Sequence, residues 1–143
     1  IFKTIFAGLQ FYTKGTTGFV TVNDVVKIMF RLMKSNFKNE KYILIAENMV
    51  FQNVLNLIAD ELQVKRPSLD AKKWLLTFLW RSDWILCNLF FQKRKFSKLT
   101  AKSLLSPDLY DNQKIKSAID YKFEAIDNCI IKTCDNFLQQ LKK

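Results

Sequence analysis

Apolar side chains recur at helical spacing from the first residues onward. Ile1, Ile5, Leu9 and Tyr12 share one face, with Phe2 and Phe6 alongside, which predicts an amphipathic helix over residues 1–14. Gly15-Thr16-Thr17-Gly18 stops it. Thr21, followed three residues later by Asp24, resembles a capping box, in which side chains satisfy amides orphaned at a helix N-terminus. From there Val22, Val25, Val26, Met29, Phe30, Leu32 and Met33 form one apolar stripe, with Lys27, Arg31 and Lys34 largely opposite. A third helical region spans residues 40–63, with a break near Glu47-Asn48, and Pro67 ends it.

Residues 71–94 are apolar almost all round, as expected of a helix packed on several sides; this places Trp74, Trp80 and Trp84 in the core. Arg81, Ser82 and Asp83 interrupt the stretch at its middle, which argues against a membrane span. A short helical turn over 100–105 ends at Ser106-Pro107, a start signal for the last helix. There Ile115, Ile119, Phe123, Ile126, Ile130, Cys134, Phe137 and Leu141 recur every three or four residues. That stripe serves either as the last layer of the core or, with Ile131 and Leu138 beside it, as a seam for a second copy or a partner helix.

These elements predict an all-α fold. The short connections favour a compact multi-helix bundle of about five to seven helices, with α-solenoid hairpins of the HEAT or armadillo type as the alternative. A chain of 143 residues fits a single domain, and at this length about 70% of the unfolded surface can be buried without disulfides or metal. Three Gly and two Pro leave few turns for an all-β fold, and 13 Phe exclude a solvated, disordered tail. A chain starting at Ile1 is expected to be a domain of a larger intracellular protein, with no signal peptide and no transmembrane segment.

Candidate chemistry is sparse. Without histidine there is no His-based triad and no His-ligated zinc, and Gly8, Gly15 and Gly18 make no phosphate-cradling loop. Cys87, Cys129 and Cys134 are odd in number and read as buried thiols, not as a disulfide framework or metal pair. The acidic residues look like solvated helix faces. No catalytic residue, cofactor or metal is therefore expected.

Charge is the informative feature. Residues 1–61 carry seven basic and five acidic side chains, and residues 108–143 carry six of each. Residues 62–107 carry ten basic side chains against Asp70 and Asp83, so most of the net +10 lies there. Nine of the ten form two clusters and are the candidate anion- or partner-binding residues: Lys65, Arg66, Lys72 and Lys73 around Pro67, and Lys93, Arg94, Lys95, Lys98 and Lys102 further on. Such a field attracts acidic partners. The expected function is that of a non-enzymatic protein–protein interaction domain, a scaffold or adaptor whose basic surface steers an acidic protein. The alternative is a helical nucleic-acid-binding domain, with those residues on phosphates and Phe90, Phe91 and Phe96 able to stack bases.

Overall fold

The computed structural model describes residues 1–90 and 98–141. Helix α1 (Phe2–Phe6) leads into strands β1 (Phe11–Tyr12) and β2 (Thr16–Phe19) and helix α2 (Val22–Met33). Strand β3 (Glu47–Val50) runs directly into α3 (Phe51–Glu61), and β4 (Leu69–Asp70) precedes α4 (Lys73–Phe90). Three helices follow, α5 (Lys98–Ser103), α6 (Gln113–Ile119) and α7 (Ile126–Leu141).

The architecture is mixed α/β, not the all-α bundle or solenoid that the periodicity predicts. The expected first helix fails at Gly8, whose φ of +91° lies in the left-handed region that ends a helix. Beyond it the chain finds distant strand partners. β1 pairs in parallel with β4, Phe11 opposite Leu69, and β2 pairs antiparallel with β3, Thr16 opposite Val50 and Phe19 opposite Glu47. The Gly-Thr-Thr-Gly stop is therefore largely strand. Gly15 there donates its N–H to the Leu104 carbonyl at 3.1 Å, and a Cβ on it would lie 2.4 Å from that oxygen, so only glycine permits this approach.

The main core joins α1, α3 and α7. Ile5, Val54, Leu55, Ile58, Ala59 and Leu62 meet Ile126, Ile130 and Cys134, with Phe6 packed edge-on against Phe137 at 5.7 Å. Ala71 and Leu76 form a separate small cluster with Leu104 and Leu105, and this cluster ties α4 to α5. Residues 107–125 are fastened by side chains. Asn48 exchanges two hydrogen bonds with the Tyr110 backbone, and buried Asn112 donates to the Ile45 carbonyl at 2.6 Å. Ser106-Pro107 starts no helix. The expected last helix divides at Asp120, whose φ of +43° closes α6, and Glu47 then accepts from the Ile126 N–H at 2.9 Å to cap α7.

Candidate functional site

The most informative surface is built on α2. Thr21 caps it, accepting from the Asp24 N–H at 3.0 Å. Asp24 is buried in the first turn, and its carboxylate accepts from the Tyr121 hydroxyl at 2.6 Å and the Glu124 N–H at 3.0 Å. Burial, then the bond to Asp24, pushes the Tyr121 phenol up to about 12, so it keeps the proton it donates. With Ile28, which is 0% exposed, these contacts settle which face of α2 looks inward.

The opposite arc is apolar and faces solvent. Val22, Val26, Met29, Phe30 and Met33 are all exposed, Phe30 at 57% and Met33 at 82%, over about 16 Å of helix. Only part of the apolar arc, Ile28 with half-buried Val25 and Leu32, faces inward. Lys27 and Lys34 border the exposed stripe, and the Lys34 ammonium sits 4.2 Å above the Phe30 ring. Arg31 lies further round, 5.0 Å from the Tyr121 ring.

A second exposed apolar face lies on α4. Trp74 (69% exposed), Phe78 and Trp84 (52%) are not the core residues that the all-round apolar pattern predicts; α4 turns Leu76 inward instead. The Trp80 side chain lies outside the described residues. On α7, Ile131 is exposed while Leu138 packs against the core, so the expected second seam narrows to one residue.

The nine basic candidates distribute unevenly. Lys65 and Arg66 line an open cleft of about 330 Å³ with Gly8, Leu9, Gln10, Ser68 and Leu69. Arg66 is already engaged there by Asp60, at 2.6 and 2.7 Å, and this holds the Asp60 carboxyl below the usual carboxylate range. Lys72 and Lys73 are exposed at the start of α4, and Lys102 is exposed in the last turn of α5. Lys93, Arg94 and Lys95, the Lys98 side chain, and Phe90, Phe91 and Phe96 fall outside the described residues or side chains. Lys14, not among the candidates, pairs with Asp70 at 2.9 Å.

Among the described residues no group of three or more His, Cys, Asp or Glu could hold a metal ion, and no helix is long and apolar enough to cross a membrane. Cys134 is buried, and its surroundings, burial first and then Glu61, push its thiol up to about 11.

No protein-family model matches the chain, and no curated protein does. Among solved structures, the chain is similar to that described as "Crystal structure of gox2253", with a TM-score of 0.73 and 18% identity over 97% of this chain. It spans 43% of the length of that protein, and at this identity the likeness shows the fold alone.

Proposed function

We propose that the chain is a protein interaction domain that docks another folded protein through the outward face of α2. One observation carries this: Val22, Val26, Met29, Phe30 and Met33 are exposed together on one arc of a helix whose other side is fixed by Asp24 and Ile28. Contiguous exposed apolar surface of this kind marks sites covered by a partner.

The partner's chemistry follows from the border of the stripe. Lys27 and Lys34 border it on the Phe30 side, and residues 62–107 add further positive charge to the chain, so the complementary surface is apolar at its centre and acidic along that edge. A second copy would set these lysines against their own like charge in a protein of net +10, which disfavours self-pairing. No reaction is assigned to this chain. Arg66, one of the residues that the nucleic-acid alternative would set on phosphates, is held by Asp60.

Photo-crosslinking from position 33, compared with exposed position 122 on the segment between α6 and α7, tests the proposal. A crosslink from position 33 to one defined apolar, acidic-flanked segment of one folded protein is expected. Equal crosslinking from both positions, or products spread over unrelated proteins, would refute it.

A further inference from the structure

The face of α4 is independent of α2 and differs from it in chemistry. All three Trp of the chain fall between residues 74 and 84. Trp74 and Phe78 stand one turn apart and exposed, with Trp84 exposed further along a helix about 27 Å long. Among the described side chains, Leu76 anchors this helix in a small cluster with Ala71, Leu104 and Leu105, while Trp74, Phe78 and Trp84 meet solvent. Exposed Lys72 and Lys73 stand at its N-terminal end, in a stretch of ten basic and two acidic side chains. One of those acids, Asp70, is neutralised by Lys14.

We infer that α4 rests on an anionic lipid surface, with Trp74, Phe78 and Trp84 at the boundary between headgroups and acyl chains and Lys72 and Lys73 among the headgroups. Three observations favour this occupant over an acidic protein. Tryptophan combines a large apolar ring with an N–H that must stay hydrated, which suits a boundary wet on one side. The exposed aromatics lie along one helix, a line that a bilayer surface can meet without a complementary pocket. The charge of residues 62–107 is predominantly positive, ten basic side chains against Asp70 and Asp83, as attraction to an anionic leaflet requires. α4 would lie in the surface and not cross it, in keeping with the lack of a spanning helix among the described residues.

Because every Trp lies between residues 74 and 84, intrinsic fluorescence reports on this helix alone. The test combines Trp emission with co-sedimentation on vesicles of phosphatidylcholine, with and without about 30% phosphatidylserine. Binding to the anionic vesicles with blue-shifted emission is expected, falling at least about tenfold for the Trp74→Ser, Phe78→Ser double variant. Both side chains are exposed, so the variant should keep the wild-type circular dichroism spectrum. Phe30→Ser on α2 should bind vesicles like the wild type, which separates this inference from protein docking. Failure to bind anionic vesicles, equal binding to neutral ones, or binding indifferent to the double substitution would overturn it; the last would mean adsorption by charge alone.

Discussion

The outward orientation of α2 makes a sharp prediction, because inward and outward apolar residues sit on the same helix. Ile28 is fully buried beside Asp24, so Ile28→Ala removes three carbons from a closed site and should cost about 2–5 kcal/mol. Phe30 and Met33 leave no cavity when shortened. Their replacement by Ser costs only helix propensity and loose surface contact, within about 0.5 kcal/mol each. With a urea slope of about 1.5 kcal/mol per molar, Ile28→Ala should lower the unfolding midpoint by about 1–3 M, while the serine variants move it by about 0.3 M or less. Urea titration followed by circular dichroism reads both. Serine variants as destabilised as Ile28→Ala would show the stripe to be buried within the chain, and the docking proposal would lose its basis.

Other outcomes follow from the buried polar groups. Asp24→Ala strips the Tyr121 hydroxyl and the Glu124 N–H of their acceptor and should destabilise by about 2–5 kcal/mol in the same titration, more than Tyr121→Phe, which leaves the Glu124 bond intact. Tyr121 is a group whose folded pKa is raised, from about 10 to about 12. Its stabilising contribution is therefore complete below pH 10 and lost as pH rises towards 12, and Tyr121→Phe should flatten stability across that window. Cys134, buried and with its thiol raised to about 11, should resist iodoacetamide at pH 8 until urea unfolds the chain; rapid labelling of the folded protein would contradict its packing.

Helical periodicity was legible wherever local spacing determined the element. Thr21 and Asp24 mark the start of α2, and Ile126, Ile130 and Cys134 form the buried face of α7, but the helix expected over residues 40–63 begins only at Phe51, with no helix over 40–46 and strand β3 over Glu47–Val50. The strands were not legible, because two- to four-residue segments carry no measurable alternation. Their partners also lie far along the chain, Phe11 with Leu69 and Thr16 with Val50. The division of the last helix depends on Asp120 in a left-handed conformation and on a cap from distant Glu47, neither visible as periodicity.

The candidate site had a signal that pointed the wrong way. From Ile28 round to Phe30 the apolar arc of α2 spans about 200°, wider than the stripe of about 100° that one core face needs. That excess width leaves Val22, Val26, Met29, Phe30 and Met33 exposed once Ile28, Val25 and Leu32 are turned inward. In α4 the same all-round apolarity suggested a core helix, yet Trp74, Phe78 and Trp84 face outward while Leu76 packs into the small cluster with Ala71, Leu104 and Leu105.

The chain carries its own probe of the α2 face. Of its three methionines, Met29 and Met33 stand on the exposed stripe and Met49 packs against the core. Brief oxidation with dilute peroxide, quantified by mass spectrometry, should convert Met29 and Met33 to sulfoxide quickly in the purified domain and Met49 slowly. In the native cellular assembly a docked partner should protect Met29 and Met33 at least severalfold while leaving Met49 unchanged. Equal oxidation of Met29 and Met33 in both settings would mean that nothing covers α2, and the docking function would be contradicted.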